Sequence, residues 1–560
     1  MKFVIHARYS ILTRLLTALI SCYLAYTPCY PQSLRKMRLP EEFSAHQPTI
    51  LPVATSDGKR LYFDRKNFAG NTGGIHDYDD IWFADKNSDG TWLKARNLGT
   101  PLNTEGSDVL CSLSPDNRMA LVYGVYDSQL PVKREGFSLA RCKSGTWLFP
   151  EPIVIKNFYN RAKKYYARLA PDNRTLLLAL QRDESLGGLD LYVSFRQDTS
   201  LVWSEPLHLG STLNTSGYEG SPHLAPDGKT LYFSSEGHGG NGLADLFVTR
   251  RLDESWQRWS PPVNLGTLIN TNHEDSSIDI SLDGKTAYFL SSDTAGNKGL
   301  YFATLPEEMR HTGAVMLMGK VRLALPTTKP AKYTKHENTI QQVSIDRNVY
   351  VLAYSVRKDS LAILHPVIES LTTVSLDDGT YAMVLPAGKI YVVKAFIPNA
   401  PDVTSWVAVL DTRQPRFHAG SRLEYREQDI ILGAPRKSIS IEFPPIHFAQ
   451  EQAILPDSSF SVPALVAFAY TACQAAQHHQ HAKQTSIEIV GHTCDLGRSS
   501  MNDSLAQERA RAVAEEVKRY GIPDTAIIMR GEGERKPLVR SASAEHRARN
   551  RRVEVRIIQH

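Results

Sequence analysis

Arg509 is the residue whose setting most demands a chemical explanation. Leu505 and Val513 stand four residues before and after it, so on a helix it falls inside the apolar stripe, away from the solvated arc of Gln507, Glu508, Arg511 and Glu515. A guanidinium there needs a partner, because an unpaired buried charge is strongly destabilising. Two partners are open. One is a carboxylate of the chain itself, with Asp495 as the candidate, the pair serving only to brace the fold. The other is a carboxylate on a ligand, which the planar arginine fork matches bidentately. The surrounding residues are Gly491-His492-Thr493-Cys494-Asp495-Leu496-Gly497 upstream, Asn502 and Leu505 closer in, and Asn550-Arg551-Arg552-Val553 downstream.

The elements that must position these residues are legible from their periods. Ile487 and Ile489, and later Val553, Val555 and Ile557, alternate as strands do. Between them Leu505, Ala506, Ala510, Val513 and Val517 share one helical face. The segment is therefore expected to be mixed α/β.

In order and spacing, this run resembles the OmpA C-terminal domain shared with the Pal lipoproteins, over roughly residues 440–560. The resemblance implies a non-catalytic peptidoglycan-binding domain, here residues 438–560. It implies that Arg509 meets the carboxylate of the diaminopimelate side chain of the stem peptide, while an Asp meets its ammonium. The positions carried over to this site are Arg509, Asp495, Thr493, Cys494, Asn502, Leu505 and Arg552. Two departures bear on affinity more than on fold. Where the family has Gly-His-Thr-Asp this chain has Cys494, the carboxylate having moved one place to Asp495, and Ala449 after Phe448 replaces a common family Asp. One residue along an extended chain reverses the side-chain direction.

A Cys473–Cys494 bridge is disfavoured by reach. With a turn near Ala482, Cys473 lies about 14 Å back along a helix and Cys494 up to about 40 Å along an extended chain, whereas bridged α-carbons lie within about 7 Å. Besides Cys22 and Cys29, only Cys111, Cys142, Cys473 and Cys494 are present, which is no disulfide framework and has no zinc-type CxxC spacing. No metal site or cofactor is expected.

The N-terminal half is repetitive. Ser56-Asp57-Gly58-Lys59-Arg60-Leu61-Tyr62-Phe63 recurs in variant form around Asp116, Asp172, Asp227 and Asp283, at intervals of 59, 56, 55 and 56 residues. Pro fixes φ, Gly or Asn tolerates φ > 0, and Leu-Tyr-Phe is strand-forming, so each copy reads as a tight hairpin. A further strand signal follows at Asp80-Ile81-Trp82-Phe83, Asp190-Leu191-Tyr192-Val193, Asp245-Leu246-Phe247-Val248 and Gly299-Leu300-Tyr301-Phe302. Several short strands per repeat at this period read as propeller blades. Residues 41–311 are thus expected to form an all-β propeller of five blades, or six if the chain before Asp57 and after Leu305 closes another. The repeats look like the TolB-like Pro-Asp-Gly propeller repeats of bacterial envelope proteins. The five turn aspartates read as structural.

From Gly313 the period stops. Asp-Gly and Ala-Gly turns between alternating strands, as in Leu376-Asp377-Asp378-Gly379-Thr380-Tyr381 and Leu385-Pro386-Ala387-Gly388, predict a small antiparallel β-sandwich. It looks like the carboxypeptidase regulatory-like domain, a module without catalytic residues, with residues 401–437 completing it or serving as linker.

At the start of the chain, Lys2, Arg8 and Arg14 precede an apolar run from Leu15 through Ala25, too short to span comfortably and reading as a secretory signal over residues 1–31. Within it Leu19-Ile20-Ser21-Cys22 resembles a lipobox, which would make Cys22 a lipidation site, whereas the apolar Tyr23, Leu24, Ala25 and Tyr26 favour ordinary cleavage near Thr27 to Pro31. A formal charge of +5 on 560 residues, with no basic stripe interleaved with aromatics, argues against nucleic acid as a partner. His478, His479 and His481 read as an exposed helix end, and Gly237-His238-Gly239-Gly240-Asn241-Gly242 lacks the Lys-Ser/Thr of a phosphate loop.

Two functions from different classes emerge. The first is a periplasmic, outer-membrane-associated anchor, held to peptidoglycan at its C-terminus and docking an envelope protein through its propeller. This domain string resembles OmpA-family components of Bacteroidetes envelopes, among them one tied to type IX secretion that also carries N-terminal helical repeats absent here. The alternative is an envelope enzyme, a glycan- or peptide-processing propeller tethered to the wall. It would need carboxylates or a nucleophile converging at the propeller mouth, and the chain has no Gly-x-Ser-x-Gly or His-Glu-x-x-His motif.

Overall fold

The computed structural model describes residues 36–40, 43, 51–127, 134–323, 349–358, 364–375, 377–398, 407–432, 439–459, 461–475, 485–540 and 543–559. The expected signal segment with Cys22 and the tract His478, His479 and His481 lie outside them.

The five Asp-Gly and Asp-Asn hairpins build five sheets of similar plan. The first holds Val53–Ala54, Arg60–Lys66, Asp79–Asp85 and Arg96–Asn97 in that order, all antiparallel. The second, third and fourth start at Leu110–Leu113, Tyr166–Leu169 and Glu219–Leu224. The fifth contains Ser276–Ile280, Thr286–Ser292 and Lys298–Thr304, and takes Met37–Arg38 as its outer strand. The chain before Asp57 thus supplies a strand to the fifth sheet and one to the first, and the described residues form no sixth sheet of this kind. Each hairpin turn holds one residue at positive φ, namely Gly58, Asn117, Asn173, Gly228 and Gly284 at +59° to +76° apart from the Asn173 value of +56°. That is why this turn position is always Gly or Asn.

The first strands of the five sheets neighbour one another in cyclic order, the fifth again meeting the first. Ala54 donates its N–H to Asp279 Oδ2 at 2.8 Å, joining first and fifth sheets, and Leu169 donates to Ser112 Oγ at 3.0 Å, joining third and second. Arg168, His223 and Asp279, each four residues before a turn aspartate, are buried together, with Arg168 Nη2 at 2.5 Å and His223 Nδ1 at 3.3 Å from Asp279 Oδ1.

Residues 314–432 form two further sheets over a shared core that includes Val315, Leu317, Val351, Met383, Tyr391 and Val393. One sheet orders Leu364–Thr373, Tyr350–Lys358, Ile390–Phe396 and Ala408–Asp411. The other centres on Ala314–Leu323, which pairs antiparallel with Thr380–Pro386 but parallel with Leu423–Glu427 and Ile430–Leu432. The pairing is mixed rather than wholly antiparallel, because the returning chain from beyond residue 400 adds its strands in the same direction.

These sheets sit against the turn end of the repeats. Leu371 donates its N–H to the Asp172 carbonyl, Asn173 Nδ2 donates to the Leu371 carbonyl, and Arg422 donates its N–H to the Asp283 carbonyl, at 2.9–3.0 Å. Asp227 Oδ2 accepts the Thr312 N–H at 3.0 Å, and Arg118 Nη1 donates to Thr380 Oγ1 at 2.6 Å.

The C-terminal unit contains β1 (Ile439–Glu442), β2 (Ile446–His447), α1 (Ser461–Ala475), β3 (Thr485–Gly491), α2 (Ser499–Arg519), β4 (Ile527–Gly531), α3 (Ala544–Asn550) and β5 (Arg552–Gln559). Its sheet runs β1-β5-β3-β4, with β2 also on β5. β3 and β4 are parallel, so the chain must cross over between them, and α2 is that crossover. The α2 face over the sheet buries Ala506, Arg509, Ala510, Val513, Ala514 and Val517. Among the described residues no helix is long and apolar enough to cross a membrane.

Candidate functional site around Arg509

Glycine sets the geometry at the end of β3. A Cβ on Gly491 would meet the Ala506 carbonyl at 1.9 Å, so only glycine lets the strand end lie this close to α2. The turn after it is pinned on both sides, His492 donating its N–H to the Arg552 carbonyl at 2.8 Å and Thr493 to the Gly533 carbonyl at 2.9 Å.

Arg509 lies one helical turn beyond Leu505 on this face and is fully buried, with 0% exposure. Its guanidinium is spread over three backbone carbonyls: Nε donates to Gln452 at 2.8 Å, Nη1 to His492 at 3.1 Å and Nη2 to Ala449 at 3.0 Å. It also stands 5.4 Å from the Phe448 ring centre. Of the five guanidinium N–H groups, three are thus engaged. Burial, then the neighbouring Arg551, lowers Arg509 to about 10, with Cys494 acting the other way. No described carboxylate is in salt-bridge range of Arg509.

Asp495 is elsewhere. Its Oδ1 accepts from Arg547 Nε at 2.7 Å on the exposed rim, and this bond holds the Asp495 carboxyl below its ordinary range. The bracing pair Arg509–Asp495 is therefore not formed, and Arg547, on α3, is the partner that sequence reasoning did not name. Cys494 is buried, and both it and Cys473 are free thiols.

The remaining residues of the motif surround the same turn. Asn502 Nδ2 donates to Glu534 Oε2 at 2.6 Å. Arg552 uses Nε for Glu554 Oε1 at 2.8 Å, and its Nη1 is buried without a partner, as is Thr493 Oγ1. Leu505 is half-buried. His492 is 2% exposed with neither ring nitrogen hydrogen-bonded, and burial, then Arg552, lowers it to about 4, so it is neutral at pH 7.

The structure thus brings Arg509, the 492–494 turn and the 449–452 turn together, and leaves Asp495 on the rim. The carbonyls of Ala449 and Gln452 were invisible beforehand, because backbone acceptors carry no residue signature.

Residues 450–551 match the OmpA family. Among known proteins, outer membrane protein A of Bordetella avium is 35% identical over 85 residues, 15% of this chain and 44% of that protein. Outer membrane porin F of Pseudomonas aeruginosa is 39% identical over 74 residues, 13% of this chain and 21% of that protein. The peptidoglycan-binding protein ArfA of Mycobacterium tuberculosis is 31% identical over 111 residues, 20% of this chain and 31% of its own length. The chain therefore spans less than half the length of each of these relatives. A solved structure, the peptidoglycan-associated lipoprotein of Burkholderia pseudomallei, is 23% identical with a TM-score of 0.18, covering 20% of this chain and 89% of that one. The C-terminal segment is an OmpA-family domain.

Proposed function

We propose that this chain is a non-catalytic anchor of a Gram-negative envelope, binding peptidoglycan through residues 438–560 and a protein partner through its repeats. The observation that carries the reading is the buried Arg509, whose guanidinium meets carbonyls but no carboxylate, within a segment that matches the OmpA family. An anionic ligand such as the stem-peptide carboxylate is the missing counter-charge. Because Arg509 is fully covered, that ligand reaches it by displacing the Ala449–Gln452 turn.

The five sheets are read as a five-bladed propeller over residues 41–311, supported by the cyclic order of their first strands and by the Met37–Arg38 strand that joins the two ends of the array. Residues 312–437 are read as a β-sandwich that mounts it. The turn end is taken up by that mount, so a partner would dock at the opposite end, where Ile75, Leu186 and Leu243 are 59%, 51% and 73% exposed. A secretion machine of the type IX kind is the partner class to which the resemblance of the domain string points.

An enzymatic role has less support. At the convergence of the first strands the acid Asp279 is tied to Arg168, to His223 Nδ1 at 3.3 Å and to the Ala54 N–H, so it is engaged in holding the first strands together.

The test is sedimentation of the mature chain with purified peptidoglycan. Retention in the pellet that free diaminopimelate-containing stem peptide competes away supports the reading; a chain that stays in the supernatant defeats it.

A further inference from the structure

The loop joining the second and third strands of the first sheet, residues 67–78, has twelve residues between Arg60–Lys66 and Asp79–Asp85. Its counterparts in the third and fourth sheets, residues 181–189 and 236–244, have nine. All three loops close on an equivalent acid, Asp80, Asp190 or Asp245, whose Oδ2 accepts a loop N–H from Thr72, Leu186 or Asn241 at 2.7–2.8 Å. The longer loop brings in a second acid, Asp77, whose Oδ2 accepts the Gly73 N–H at 2.9 Å.

Thr72 and Gly73 are consecutive, so adjacent amides receive the two carboxylates, which therefore lie side by side. Asp77 is 2% and Asp80 0% exposed, and the Oδ1 atom of each is buried without a hydrogen-bond partner. Asp80 lies close enough to Asp77 for the two carboxyls to interact directly. Asp108, also 0% exposed, adds to the negative charge felt by Asp77. The Oδ1 atoms of Asp190 and Asp245 are unpartnered too, so what sets this loop apart is the second acid, and two adjoining buried carboxylates call for a counter-charge.

We propose that Asp77 and Asp80 hold a hard divalent cation of the calcium class in this loop. No three His, Cys, Asp or Glu side chains among the described residues are arranged as a metal site, so the remaining ligands are loop carbonyls and water. That shell suits calcium, which takes about six to eight oxygens, and not zinc, which prefers nitrogen and sulfur. The cation would fix the loop bearing the exposed Ile75 and Tyr78, on the end of the repeats proposed above for docking. Cation binding itself does not depend on that docking.

The test uses the mature full chain freed of metal at pH 7. Terbium binding is read by luminescence excited through Trp82, whose Nε1 donates to Asn71 Oδ1 at 3.0 Å within the same loop. Calcium should raise the thermal midpoint saturably, with half-effect at about 0.1–1 mM as in extracellular sites, and should displace terbium. Asp77→Asn keeps the Gly73 contact and should lose both responses while melting no lower than the parent in metal-free buffer. A parent without terbium emission or calcium response overturns the proposal and leaves a shared proton between the two acids. An Asp77→Asn variant with undiminished responses overturns it as well. Because terbium emission is read on the parent chain, it decides even if the variant fails to fold.

Discussion

Asp495 and Arg547 pair, Oδ1 to Nε at 2.7 Å, with side-chain exposures of 56% and 26%. The pair joins the turn after β3 to α3, while the buried Arg509 on α2 has no described carboxylate in salt-bridge range. An exposed ion pair contributes little to stability. Asp495→Asn should therefore leave the melting temperature unchanged, and a marked fall would show that the rim pair holds α3 in place. In peptidoglycan sedimentation the same variant should lose less than any change at Arg509, because Asp495 is already engaged.

Arg509→Ala removes the donors to Gln452, His492 and Ala449. Buried carbonyls left without partners, together with the cavity, should cost about 2–5 kcal/mol, read as a lower midpoint in urea. Arg509→Lys keeps the charge but cannot span three acceptors. It should retain more stability than the alanine variant and lose the fork needed for a carboxylate, with about 10-fold or greater loss of peptidoglycan retention. Retention equal to that of the parent in a folded Arg509→Lys chain would rule out carboxylate recognition by the fork.

The repeats were legible because their signal is local. A positive-φ turn residue, a strand former after it and a near-constant interval all lie within a few residues of one another, and Asn117 and Asn173 do take the left-handed conformation that the Gly positions suggested. The burial of Arg509 was legible from the helical period of Leu505 and Val513. Its partners were not, since Gln452 lies 57 residues away and offers only its carbonyl. Arg547 was equally hidden, 52 residues from Asp495 on a helix of seven residues. The parallel pairing of Ala314–Leu323 with Leu423–Glu427 escaped because strand direction is set by the path of the connection, which leaves no mark in the strand.

Glu369 should govern acid stability of the middle sheets. It is 7% exposed and meets Lys389 Nζ at 2.9 Å, Arg357 Nε at 3.3 Å and Ser355 Oγ at 2.6 Å. Burial alone would raise its carboxyl, but Lys389 and Arg357 outweigh that and hold it at about 2 against an ordinary 4.5. A folded-state value below the unfolded one means that the stabilisation is full above pH 4.5 and is lost as pH falls toward 2, by about 3 kcal/mol in all. The midpoint difference between the parent and Glu369→Gln should therefore be large at pH 7 and shrink across that window. A difference independent of pH would mean that packing, not charge, is what Glu369 supplies.

The C-terminal unit should not be self-sufficient. α1 carries no charged residue over Ser461–Ala475, most of its described positions are buried, and so largely apolar a helix needs cover on more than one face. One face packs in the core of its own unit with Ile446, Ile487 and Val513, and the same cluster takes in Ile390, Val392 and Val407 from the preceding sheets. Phe468 stands 4.7 Å, centroid to centroid, from Tyr354, and Lys394 Nζ lies 5.2 Å from the Tyr354 ring and 5.7 Å from the Phe468 ring. Cutting the chain at residue 438 uncovers that second face. A segment of residues 438–560 should bind a hydrophobic dye and self-associate, whereas residues 312–560 should remain monomeric and dye-silent at the same concentration. Phe468→Ala in the full chain should loosen the contact, removing about 0.5–1.5 kcal/mol of ring pairing in addition to the lost apolar area, and should speed hydrogen exchange in both Ile390–Phe396 and α1. If residues 438–560 alone prove monomeric and dye-silent, the contact with the preceding sheets is not needed to cover α1.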